Sequence, residues 1–337
     1  MSGLLRIRGV IDLTQFWPGG SSDADTSKVK VTVGPGSFAF AADGKKFKAT
    51  HALDKAIVIG ASKKPVIDAQ SRVTVRLQGI DAPELHYKAP ALRKSRSEVT
   101  ATKRAAYNAE NKTERRQYWG ETATLALAEK LSTYGAGEIR CAVYSFVDHP
   151  YELMDTYGRV VGNLHVGKRL GLDINRWLTE QGWVFPAFYS SMSEEEIQTL
   201  RAAAVKGRQQ GRVWSTLSDD TSKFKPRMVY RKGGPIDTEN DQGALILPKL
   251  FRRQVAYKME VLAKVFNGSY AEFLADRPDE CYLTDEFLDK GLHSATTHRL
   301  AEFMKGKRFQ KQAEDVVFRE KFSTVVNAAG KRIDDFY

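Results

Sequence analysis

The stretch Val73-Thr74-Val75-Arg76-Leu77-Gln78-Gly79-Ile80-Asp81-Ala82-Pro83-Glu84 constrains the chain more than any other. Val73, Val75 and Leu77 alternate with Thr74, Arg76 and Gln78, the period of a half-buried strand. Pro83 ends it, because proline cannot extend a central strand and biases Ala82 away from helix. One arginine and two carboxylates, Asp81 and Glu84, therefore gather at the mouth of one strand. A guanidinium to grip a phosphate, an acid to hold a metal and an acid to handle a water are the parts of a phosphodiester-cleaving site. A strand with a solvated turn explains the same residues equally well.

The elements around this stretch alternate in type. Leu5–Leu13 and Lys28–Val33 read as strands, separated by the turn chemistry of Pro18-Gly19-Gly20-Ser21-Ser22 and by Asp23-Ala24-Asp25-Thr26. Residues 37–70 hold two short apolar runs, Phe38-Ala39-Phe40 and Ala56–Gly60, and read as an inserted hairpin or lobe. After Glu84 the apolar periodicity fades. Residues 85–119 carry nine Lys/Arg against three acids, a net of +6, and read as a solvated basic insertion, partly helical around Thr100–Asn111. Such a loop either adds phosphate contacts, with Lys88, Arg93, Lys94 and Arg96 as candidates, or is a flexible spacer.

Gly120–Leu131 is rich in Ala, Leu, Glu and Lys and reads as a helix. Strands follow at Glu138–Tyr144 and Val160–Val166, joined through the turn Asp155-Thr156-Tyr157-Gly158-Arg159. Two helices come next: one from Asp173 to Gly182, the other opened by the capping box of Ser193 and Glu196. Gly211-Arg212-Val213-Trp214 closes this first unit, 1–217. Residues 218–244 read as a polar linker, and 245–337 as a mostly helical domain, with helical spacing at Leu250–Val255, Val261–Phe266, Glu302–Met304 and Val316–Phe318.

Bulk properties narrow the function. The chain of 337 residues has a net charge of +11, which points to a polyanionic partner, most simply DNA or RNA. Two cysteines, Cys141 and Cys281, are too few and too far apart for a disulfide framework or a zinc site and read as buried thiols. The six histidines show no metal-ligand spacing. No stretch approaches the roughly 18 apolar residues of a membrane helix, and the N-terminus lacks the apolar run of a signal peptide. The expectation is a soluble, cytoplasmic protein without a membrane partner.

With its Arg strand, Asp81-Ala82-Pro83-Glu84, the earlier Asp23-Ala24-Asp25-Thr26 and the later Asp155-Thr156-Tyr157-Gly158-Arg159, the chain resembles the staphylococcal (micrococcal) nuclease family over about residues 4–216. Each motif alone is weak; all of them in the right order, with helices between, are specific. Nothing comparable covers 225–337. The resemblance implies a five-stranded barrel of the oligonucleotide-binding (OB) type with capping helices, mainly β plus α. It also implies a calcium-dependent nuclease that cuts DNA and RNA and leaves 3′-phosphate ends.

On that resemblance Asp25 and Asp81 become calcium carboxylates and the Ala82 carbonyl a third oxygen ligand, a hard donor set that suits Ca²⁺. The family usually has threonine where Ala82 stands; a backbone ligand survives that change, a hydroxyl contact does not. Asp23 is either a supporting acid or a solvated turn residue. The twelve-residue calcium loop of helix-loop-helix hands does not fit, since Lys28 and Gly34 stand where glycine and glutamate belong. Glu84 would position or deprotonate the attacking water, and Arg76 and Arg159 would flank the scissile phosphate, in a geometry lysine cannot copy. Tyr157, Phe188 and Tyr189 are candidate nucleotide contacts, with a structural role in the turn or the core as their equal rival. The alternative to an enzyme is a catalytically inactive OB-fold module that binds nucleic acid or partners.

Overall fold

The computed structural model describes residues 3–337 apart from 33, 35, 43, 61, 62, 93, 95–98, 224–244 and 278. Five strands close a barrel: β1 (Gly3–Asp12), β2 (Thr26–Val31), β3 (Arg72–Leu77), β4 (Glu138–Val147) and β5 (Val160–Val166). β1 pairs antiparallel with β2 and with β4, β2 antiparallel with β3, and β5 antiparallel with β4. The parallel pair of β3 with β5, with Val161 opposite Arg76, closes the ring. This is the expected OB-like barrel. Alternation explains it: Leu5, Ile7, Ile11, Val29, Val73, Val75, Leu77 and Leu164 are all at most 1% exposed and fill the interior.

Helices cap the barrel as expected. After α1 (Ala101–Glu110), α2 (Gly120–Ser132) packs Ala123, Leu127 and Leu131 into the same core. α3 (Ile174–Glu180) is capped by Asp173, whose side chain accepts from the Arg176 amide, and buries Ile174 and Leu178. α4 (Glu194–Gln209) opens with the reciprocal Ser193–Glu196 box. Cys141 and Cys281 are buried free thiols. Among the described residues no helix is long and apolar enough to cross a membrane.

Residues 37–70 form a lobe of short strands. Phe38–Ala41 extends the barrel sheet from β1, and Ile57–Ile59 pairs with Thr324–Val326 near the chain's far end. The basic stretch 85–119 differs from the solvated loop its composition predicts. Its helix α1 (Ala101–Glu110) lies where the sequence places one, but Leu92, Val99 and Tyr107 are buried against Leu250, Phe251 and Val255. Arg115 and Arg116 are buried too, because Glu110 (2.6 Å) and Glu121 (3.1 Å) neutralise them. A charge count sees the cations and misses the pairing that folds them inward.

The region after 245 is helical only in part. α5 (Pro248–Leu262) and the shorter helices Tyr270–Ala275 and Thr284–Lys290 alternate with short strands. Val316-Val317-Phe318, with apparent helical spacing, is a fully buried strand between Phe188–Tyr189 and Glu280–Leu283. A three-residue apolar run cannot separate the two periods, and the β-branched pair favours the strand. Glu302-Phe303-Met304 is likewise a 3-10 turn running into a strand. Most of the expected linker, 224–244, lies outside the described residues.

Candidate active site

The site is built where β2, β3 and the turn after β3 meet. Register sets Thr26 opposite Arg76, so Asp25 lies beside the arginine on the next strand. Gly79, at φ +73°, turns the chain out of β3; a Cβ there would sit 2.4 Å from Leu200 Cδ1 and 2.7 Å from Met192 Cε. Ile80–Asp81 then pairs with Phe185–Pro186. The Ala82 amide donates to Asp25 Oδ2 at 2.7 Å and ties the two acidic segments together.

Arg76 bridges the acids. Its guanidinium contacts Asp25 Oδ2, donates to Asp81 Oδ1 at 2.6 Å and to the Ile80 carbonyl at 3.0 Å. Burial works against its charge, but Asp25 and Asp81 outweigh that and hold its pKa above the ordinary value. Asp25 responds in mirror image: burial opposes its charge, Arg76 and the Ala82 amide overcome it, and its pKa falls. Asp23 lacks such partners. Burial, then the neighbouring Asp25, push its carboxyl up to about 7, and its Oδ1 is buried with no hydrogen bond. His86 Nε2 stands 3.9 Å from its other oxygen.

Arg159 is aimed by its own turn. The Asp155 carboxylate accepts from the Tyr157 and Arg159 amides, both at 2.9 Å, and from Arg159 Nε at 2.7 Å. Arg159 Nη1 also donates to Thr26 Oγ1 at 3.3 Å, which sets it on the Asp25 side of Arg76. Tyr157 is 60% exposed with the Arg159 guanidinium 5.4 Å from its ring centre. A pocket of about 320 Å³ opens here, lined by Arg76, Tyr157, Arg159 and Tyr189 on the barrel side and by Lys249, Arg253 and Arg319 from the C-terminal region.

Glu84 is held at the backbone by Gln117: the Gln117 side chain accepts from the Glu84 amide at 3.1 Å, and the Gln117 amide donates back at 2.7 Å. Gln117 Nε2 donates to the Ile246 carbonyl at 2.8 Å, so the insertion links Glu84 to the C-terminal region. Burial raises the Glu84 pKa, against the pull of Arg252. Arg252 is the residue that sequence reasoning missed. It projects from α5 and donates through Nη2 to Asp81 Oδ2 at 2.8 Å and through Nη1 to Asp81 Oδ1 at 3.1 Å; Nη1 also contacts Glu84 Oε1. The one trace in the sequence is the Arg252-Arg253 doublet inside an apolar helical pattern, which reads most simply as a solvated face.

Residues 74–216 match the family model described as staphylococcal nuclease homologue. This segment is a staphylococcal nuclease homologue domain. The match starts after Asp25, yet β1 and β2 close the domain's barrel and carry Asp25 to Arg76. No curated protein matches the chain.

Within and around the nuclease homologue domain, Asp25, Arg76, Asp81, Glu84 and Arg159 come together. Tyr157 and Tyr189 line the cleft with Arg76 and Arg159, whereas Asp25, Asp81 and Glu84 are not part of its lining; burial pushes the Tyr189 hydroxyl up to about 12. Phe188 does not reach it. The ring is fully buried, and its strand pairs with Val317, so it takes the packing role and cannot stack on a base. Lys88 is exposed and paired with Glu114 at 3.3 Å, Lys94 is exposed, and neither lines the cleft. Arg93 and Arg96 lie outside the described residues.

The donor chemistry fits a hard divalent cation. Asp25, Asp81 and Glu84 pair with two neutralising guanidiniums, those of Arg76 and Arg252, and Asp23 stands beside them with a buried oxygen that has no hydrogen bond. The coordination cage is not assembled: among the described residues no group of three or more His, Cys, Asp or Glu side chains is placed to hold a metal. Two of the four acids face Arg252 instead.

Proposed function

We propose that the protein is a calcium-dependent nuclease that hydrolyses phosphodiester bonds of DNA or RNA, with single strands the favoured substrate. The observation that carries this is the convergence of Arg76, Asp25 and Asp81 on one point, with Arg159 and Glu84 beside it. Asp25, Asp81 and the Ala82 carbonyl are the calcium ligands of this reading. A bound calcium would supply Lewis-acid neutralisation of a phosphate oxygen.

The chain's own residues do the rest. Glu84, its pKa raised above the ordinary value by burial, orients a water and takes its proton. Arg76 and Arg159 pair their forks with the phosphate oxygens and stabilise the charge that accumulates as the water attacks in line. The exposed Tyr157 offers a ring for an unstacked base, which favours splayed strands over duplex. By resemblance to the family, the products end in 3′-phosphate.

The test is incubation of the purified full chain with a labelled single-stranded oligonucleotide at pH 7–9, with millimolar Ca²⁺ or with chelator. Cleavage with calcium, its loss with chelator and 3′-phosphate ends are expected. Binding without calcium-dependent cleavage would leave a nucleic-acid-binding module instead.

A further inference from the structure

Resting on that reading, we infer that Arg252 is an internal counter-ion of the calcium site, competing with the divalent cation for Asp81 while it holds Glu84, the water-handling acid, in an ion pair. Loading the metal and docking α5 on the barrel are then opposed events.

Three observations carry this. First, the contact is complete: Arg252 grips both oxygens of Asp81, at 2.8 and 3.1 Å, and reaches Glu84 with the same guanidinium. Asp81 Oδ1 thereby accepts from both Arg76 and Arg252, and Oδ2 is turned to Arg252, so a cation approaching Asp81 has to displace the guanidinium from at least one oxygen. Second, the contact is supported. Leu250, Phe251 and Val255 fix α5 in a core shared with Leu92, Val99 and Tyr107. The neighbouring cations of the helix pair elsewhere: Arg253 donates to Asp279 at 2.6 Å and Lys249 stands 3.3 Å from it, so of these three it is Arg252 that reaches Asp81 and Glu84. Third, the charge is complementary. Asp81 shares Arg76 with Asp25, and a second positive charge completes the set. Arg252 provides it in the docked form, and a calcium ion provides it in the loaded form.

Two cations that compete for one carboxylate, Asp81, give a reciprocal coupling: removing Arg252 tightens calcium, and calcium loosens α5. Calcium titration by calorimetry, or terbium luminescence as its probe, on full-length wild type, Arg252→Gln and Arg252→Lys reads the first arm. Arg252→Gln should bind calcium roughly 5- to 150-fold more tightly than wild type, with Arg252→Lys between. Hydrogen exchange of wild type reads the second arm and stands even where a variant fails to fold: saturating calcium should speed exchange across residues 248–262.

Equal or weaker calcium binding by Arg252→Gln, or unchanged or slower exchange in α5, overturns the competition and leaves the nuclease reading intact. Tighter binding by Arg252→Gln without cleavage by any form sinks the nuclease reading and leaves the competition standing. Calcium binding by neither form overturns both. Metal-free cleavage that disappears in Arg252→Gln also overturns it, since the arginine would then be replacing the cation rather than opposing it.

Discussion

The barrel wall and the C-terminal wall of the site are both densely charged, but their side chains are aimed by different means. On the barrel wall the aim is local. Asp155 orients Arg159 four residues later, Asp81 sits five residues after Arg76, and a single strand register adds Asp25. On the C-terminal wall the aim is tertiary. Arg252 reaches Glu84 across 168 residues of sequence because α5 is packed on the insertion 85–119. On the proposed function the difference separates two roles: the local wall carries the groups that would act on a phosphodiester, and the distant wall would set when they are free.

Phe188 and Tyr157 break the comparison most sharply, because one joins the walls and the other belongs to the barrel alone. Phe188 is in the barrel core, and its strand pairs with Val317. Phe188→Ala should lower unfolding free energy by about 3–5 kcal/mol in urea titrations. Loss of oligonucleotide affinity in a fully folded Phe188→Ala variant would return that ring to the binding surface. Tyr157→Ala should do the opposite, weakening single-strand binding by about 1–3 kcal/mol while stability moves by no more than about 0.5. A stability loss as large as that of Phe188 would make Tyr157 a turn residue first.

A smaller effect comes from Glu320 on the C-terminal wall. Burial pushes its carboxyl from the ordinary 4.5 up to about 7. The folded state therefore holds a proton that the unfolded chain has already released. Its stabilising contribution is full below the unfolded pKa and is lost as pH rises through the folded one. Wild type should lose thermal stability relative to Glu320→Gln between pH 5 and pH 8. Parallel melting profiles across that range would place the carboxyl in solvent.

What could be read in the sequence follows the same division. The barrel was legible because β1, β3 and β5 alternate cleanly, Pro83 marks the turn after β3 and Gly158 the turn before β5. Asp25, Arg76 and Arg159 were legible because turns and register fix them within a few residues of their motifs. The burial of Arg115 and Arg116 was not, since their partners Glu110 and Glu121 look like solvated charge until the helices are placed. Nor was the strand at Val316–Phe318, whose period is undefined over so short a run. Phe188 carried equal claims to core and cleft, and only its burial separates them. Arg252 has a meaning that exists only after α5 is docked.

Glu84 carries the proposed chemistry and is held by Arg252 while α5 is docked. Glu84→Gln keeps the shape and the backbone contacts to Gln117 and removes the proton acceptor. Cleavage of a single-stranded oligonucleotide at saturating calcium should fall by about 10²–10⁴, with oligonucleotide affinity retained. Turnover at the wild-type rate would contradict the assignment.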